Sequence, residues 1–160
     1  MNRKIKTIRR IWEKIYPSAV SLLLLLGGFV LTRAGLIPPA ALASVKEKIL
    51  SPGFLDTLVT VESILLGFLL AVFALVLQSG SPAIDELKRA NRFRELIAYN
   101  RNAVIHSFLT VVLTLLVTLL LEPLPACARS LLLYLWLFST LTSLLSTFRF
   151  LDIFYALTKQ

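Results

Sequence analysis

The sequence predicts an all-α, polytopic membrane protein with four transmembrane helices and short amphipathic helices at the membrane surface. Three observations predict it. Of the 160 residues 57% are hydrophobic, and the mean hydropathy is +0.80, whereas soluble domains hold roughly 45–50% apolar residues. Four stretches, 18–37, 57–78, 102–121 and 130–150, approach the ~20 apolar residues that cross a bilayer. Lys and Arg are also one-sided: thirteen fall in the amino-terminal segment, the central linker and the carboxyl end, against Arg33, Lys46, Lys48 and Arg129 elsewhere. The positive-inside bias then places both termini and the linker in the cytoplasm, as expected of a multi-pass protein of the bacterial inner membrane.

Taken in order, Ile5, Ile8, Ile11, Trp12 and Ile15 recur at helical spacing opposite Lys6, Arg9, Arg10, Glu13 and Lys14. Residues 1–17 thus read as a basic amphipathic helix on the cytoplasmic surface, with Pro17 turning the chain into the first span. Ala40-Ala41-Leu42-Ala43 is a poor signal-cleavage site, so the first span is expected to be retained. Pro38-Pro39 and Ser51-Pro52-Gly53 bracket a short interfacial helix on the outer side. After the second span, Ser81, Pro82, Asp85 and Glu86 supply an N-cap, a first-turn proline and acidic residues for a cytoplasmic linker helix over 82–100. The tight turn from Glu122 to Cys127 joins spans three and four. Short connections favour antiparallel neighbours, and the whole chain reads as one four-helix membrane domain, 1–160.

The second span has a chosen face. Asp56, Thr60, Ser63, Gly67, Ala71, Ala74 and Gln78 fall within an arc of about 80°. Small residues mark where another backbone approaches closely, so Thr60, Ser63, Gly67, Ala71 and Ala74 form a helix-packing face, either within the bundle or between protomers. Glu62 points some 120° away from this stripe, toward Leu66, Leu69 and Phe73. A carboxylate in hydrocarbon is costly, so Glu62 must be protonated, paired or hydrated. It is the candidate intramembrane ionisable site; its alternative role is structural, bonded to a neighbouring helix or to Arg33.

Two further polar rows stand out: Asn102, His106, Thr110, Thr114 and Thr118 at steps of four in the third span, and Ser139, Thr142, Ser143 and Ser146 in the fourth. They serve either helix packing or an aqueous path. His106 and Cys127 lie at opposite ends and cannot supply three or four convergent ligands, so no metal is expected. No glycine-rich phosphate loop or nucleophile with a base at usable spacing is present. The chain is therefore expected to be non-enzymatic, without catalytic residues or cofactor. Its net charge of +8 reads as a topology and anionic-lipid signal, with no direct nucleic-acid binding.

The layout resembles small four-helix membrane subunits of bacterial phage-defence systems, namely the Rex exclusion membrane subunit and the membrane subunit of Kiwa. The resemblance lies in the basic amino-terminal segment, the outer loop, the basic linker helix, the tight outer turn and the short polar tail, and is most suggestive over 63–99. It implies a homo-oligomeric sensor or effector in the lipid bilayer, with a tetramer as the working number, acting with a soluble cytoplasmic partner. In Rex the subunit is regarded as an ion channel; in Kiwa it pairs with a DNA-binding protein. Lys88, Arg89, Arg92 and Arg94 would form the partner-docking surface. The alternative is a small ion channel or transporter subunit without a defence role.

Overall fold

The computed structural model describes residues 3–78 and 92–158, and all regular secondary structure among them is helical. The helices are α1 (Arg3–Arg33), α2 (Pro39–Ile49), α3 (Pro52–Gln78), α4 (Arg92–Leu120) and α5 (Ala126–Thr158). Four contain stretches long and apolar enough to cross a membrane: Ile15–Arg33, Pro52–Leu75, Leu96–Leu120 and Ala126–Tyr155. The chain is thus a multi-pass helical membrane bundle, as its hydropathy predicts.

Its principal packings run α3 on α4, α4 on α5 and α5 on α1, while α2 rests lightly on α3. One end of the bundle gathers the α1–α2 turn, α2 and the α4–α5 turn. There Leu55, Val117 and Trp136 form a buried cluster, with Ile49, Leu50 and Leu113 packed against it. A second cluster, Leu69, Val72, Leu96, Ala103 and Phe150, closes the end nearer the termini. Between the two lies a polar centre.

Local chemistry explains the breaks and one continuity. Gly35 follows α1 at φ 71°, the left-handed conformation that glycine adopts at helix ends. Pro38 then precedes α2 in extended geometry. At the opposite turn, Arg129 Nη2 donates to the carbonyls of Glu122 and Leu124 at 3.1 and 3.3 Å, tying the loop to the start of α5. Pro17, expected to turn the chain, instead lies inside an unbroken α1, so the surface helix and first span are one element. A proline interior to a membrane helix costs one backbone bond, which neighbouring groups can compensate. Ser21 Oγ, one turn on, donates to the Pro17 carbonyl at 2.8 Å. The linker helix likewise has no separate end: its described part, from Arg92, continues directly into the third span.

Among the described side chains of α4 the buried ones are Leu96, Asn100, Ala103, Ser107, Thr110, Thr114 and Val117. They alternate steps of four and three, the 3.5-residue repeat by which helices stay in register along a left-handed supercoil. Trp136, Ser139, Ser143, Ser146 and Phe150 repeat the pattern on α5. Leu55, Glu62 and Leu69 mark the same face on α3 at steps of seven. The knobs at mid-membrane are mostly small and hydroxylated, which permits close approach of the backbones.

Candidate functional site: a buried carboxyl among hydroxyls

Glu62 is fully buried where α3 meets α4 and α5. Its placement follows from the seven-residue spacing to Leu55 and Leu69, which puts all three on the inward face of α3. Oε2 accepts hydrogen bonds from Ser107 Oγ of α4 at 2.8 Å and from Ser143 Oγ of α5 at 2.9 Å. The two serine oxygens lie 3.0 Å apart. One oxygen therefore joins three membrane helices. Oε1 has no hydrogen-bond partner among the described residues.

The polar centre extends along α4 and α5 toward the α2 end. Thr110 and Ser139 hydroxyls pair at 3.0 Å. Thr114 Oγ1 accepts from the Trp136 indole Nε1–H at 2.9 Å while donating to the Thr110 carbonyl at 2.8 Å. Toward the termini, Asn100 Nδ2 donates to the Leu69 carbonyl at 3.1 Å and so fastens α4 to the backbone of α3. Thr142 and Thr147 are buried with their hydroxyls unpartnered among the described residues.

The expected sites are distributed unevenly around this centre. The carboxyl of Glu62 meets two serines; Arg33 instead places its guanidinium 5.7 Å from the Phe29 ring centroid on α1. Ser139, Thr142, Ser143 and Ser146 are all buried, so the fourth-span row packs. The third-span row divides. Thr110 and Thr114 are buried, Asn102 and Thr118 are exposed, and His106 is half-buried. Steps of four advance 40° around a helix each time, so five such residues drift by about 160° and cannot share one face. Ser107, Asn100 and Trp136 complete the true inward line and escaped the sequence reading; the signal that finds Ser107 and Asn100 is the alternation of steps of four and three.

Thr60, Ser63, Gly67, Ala71 and Ala74 are all exposed, on the side of α3 roughly opposite Glu62. A Cβ added at Gly67 meets no atom within 4 Å. The stripe therefore does not hold the protomer together, and the within-bundle version of the packing face is corrected: the residues packing α3 onto α4 are those around Glu62 and Leu69. Of the docking candidates, Lys88 and Arg89 lie outside the described residues. Arg92 and Arg94 belong to the first turn of α4. His106 borders a crevice of about 20 Å³ with Pro17, Ser18, Asn102, Ser146 and Arg149, room for about one water molecule. Cys127 is exposed in the turn.

A carboxyl closed off from solvent and bonded only by hydroxyls aligns helices and offers a site whose occupancy by a proton changes its bonding. Comparison with family models, curated proteins and solved structures finds no match to the chain.

Proposed function

We propose that the chain is a non-enzymatic subunit of the bacterial inner membrane, with both termini cytoplasmic, that assembles as a homo-oligomer and works with a soluble cytoplasmic partner as a sensor or effector of phage defence. The observation that carries the oligomeric part is the exposure of the entire small-residue face of α3 while the bundle closes through the opposite face. In a bilayer, small residues gain nothing by facing lipid over leucine, whereas a second backbone packs closely against them. The defence setting and partner rest on the layout resemblance, including the basic linker over 82–100.

The test is disulfide trapping in membranes. With Cys127→Ser as background, Gly67→Cys and Ala71→Cys are expected to cross-link protomers on mild oxidation, while Phe68→Cys, exposed on another side of α3, is expected to stay monomeric. Equal cross-linking at all three positions would overturn the interface. Phage plating and membrane-potential dyes on the same strains then test the setting.

The second reading, a small ion channel, is favoured by one observation: Asp56, Thr60, Ser63 and Gln78 are all exposed on the same stripe. The inward hydroxyls are engaged in helix packing, so a path would run between protomers along these residues. Conductance in planar bilayers that changes selectivity with Asp56→Asn supports this reading; absence of conductance from the cross-linked oligomer rejects it.

A further inference from the structure

The α2 end of the bundle carries a second feature, unrelated to Glu62. Leu42, Val45 and Ile49 of α2 and Leu50 at its end line a cleft on the side facing α5, with Ile49 and Leu50 also packed against the cluster around Trp136. The intervening cleft, about 340 Å³, is completed by Leu133, Trp136 and Leu137 and has Lys46 at its rim. A second cleft, about 330 Å³, runs along α1 past Leu25, Gly28, Phe29 and Ile37, with Arg33 at its rim. The two share Leu42, Tyr134 and Leu137, so they adjoin there as the two arms of a fork. Each arm reaches the lower end of the size range of ligand pockets.

The groove has an apolar floor and a cationic mouth. Leu24 and Arg33 line the same arm, nine residues and thus about 14 Å apart along the helix, so that arm descends well into the hydrocarbon layer. Arg33 sits over the Phe29 ring, which keeps its guanidinium at the mouth. Neither Arg33 nor Lys46 has a carboxylate partner among the described residues. Gly28 leaves open space where a side chain would stand. A forked apolar groove beneath two unpaired cations matches a diacyl chain pair beneath a phosphate.

We propose that this groove is a binding site for an anionic phospholipid, its two chains lying in the two arms and its headgroup phosphate held between Arg33 and Lys46. Charge complementarity selects an anionic headgroup over a zwitterionic one, and the groove opens beside a span long and apolar enough to cross a bilayer, which is the source of an occupant with two acyl chains. The site also explains how an amphipathic helix so lightly seated on α3 keeps its place: lipid chains fill the space between α2 and α5.

The experiment is native mass spectrometry of the full chain, titrated in detergent with phosphatidylglycerol or phosphatidylcholine of identical chains. The wild type is expected to retain phosphatidylglycerol on the order of tenfold better, as two surface cations can supply. Arg33→Gln with Lys46→Gln should abolish the preference, while Lys48→Gln, which does not line the groove, should leave it intact. Gly28→Phe should reduce retention of both lipids at least severalfold by filling the α1 arm, and circular dichroism should show its helices unchanged. Equal retention of the two lipids by the wild type overturns the proposal. So does an equal loss of preference in Lys48→Gln, which would mean diffuse attraction to basic charge, or unchanged retention in Gly28→Phe, which would mean the arm is empty.

Discussion

Removing the Glu62 carboxyl tests whether the polar centre holds the three helices together. Two hydroxyls donate to Oε2 at 2.8 and 2.9 Å. Interhelical hydrogen bonds in membrane proteins average about 0.6 kcal/mol and reach about 1.7. The pair should therefore couple Glu62 to the two serines by about 1–3 kcal/mol. Glu62→Ala also leaves a cavity at a fully buried position, so its total cost should be about 2–4 kcal/mol, within the range for emptying a core site. Glu62→Gln keeps an oxygen in the place of Oε2 that accepts both hydroxyls, but it sets an amide NH2 where Oε1 has no partner among the described residues, so it should cost about 1–2 kcal/mol, less than Glu62→Ala.

The assay is equilibrium unfolding in mixed detergent micelles, run as a cycle of Glu62→Ala, the double variant Ser107→Ala with Ser143→Ala, and the triple. The cycle isolates the interaction from the cavity, because the cavity term enters both arms that remove the glutamate. A coupling indistinguishable from zero would refute the argument and leave Glu62 as a tolerated passenger. A Glu62→Gln variant as unstable as Glu62→Ala would refute its other half, by showing that the hydroxyl contacts matter less than the carboxyl's charge. If Glu62→Gln is stable and yet loses activity in a phage-plating or membrane-potential assay, its role in function is separate from its role in folding.

Three other outcomes follow from the same geometry. Gly67→Leu should leave unfolding of the protomer within about 0.5 kcal/mol of wild type, since Gly67 is exposed and an added Cβ meets no atom within 4 Å, while shifting the particle to smaller size in detergent chromatography. Thr114→Val should remove the acceptor of the Trp136 indole, cost about 1–2 kcal/mol for a buried donor left unpaired, and change Trp136 emission in a Trp12→Phe background; Thr114→Ser should restore both. Arg89→Glu with Arg92→Glu should weaken capture of a cytoplasmic partner in pull-downs without altering insertion, because Arg101 and the amino-terminal cluster still set topology.

Much of this architecture is legible in the sequence because a bilayer imposes lengths. The four spans, the bracketed interfacial helix and the tight turn follow from runs of apolar residues and their proline and glycine boundaries. Glu62 is legible as well, as the one carboxylate deep inside an apolar run. Its partners are not. Ser107 and Ser143 lie on two other helices, and hydroxyls are common enough in membrane helices that no single one announces a contact. The third-span row at steps of four divides between inside and outside for a geometric reason: a period of four drifts off the face that a period of 3.5 keeps. Pro17 misleads because a proline often marks a bend or a helix start, whereas here it lies inside an unbroken helix, a position membrane helices tolerate.

The two sides of α3 carry the remaining argument. In water, burial sorts apolar from polar, and the exposed face of a helix is the polar one. Here the inward face holds a carboxyl met by serines, and the outward face holds glycine and alanine. Both are means of bringing helices together where hydrophobic burial offers no gain: hydrogen bonds where the groups can be enclosed, and close backbone contact where they cannot. The protomer uses the first means on one side of α3 and leaves the small-residue face exposed on the other; under the proposed homo-oligomer the second means operates between protomers. That asymmetry separates the two perturbations. Substitutions at Glu62 should act on the fold of each protomer, and substitutions at Gly67 on the number of protomers, so a variant set in which both change together would show that the bundle forms only within the oligomer.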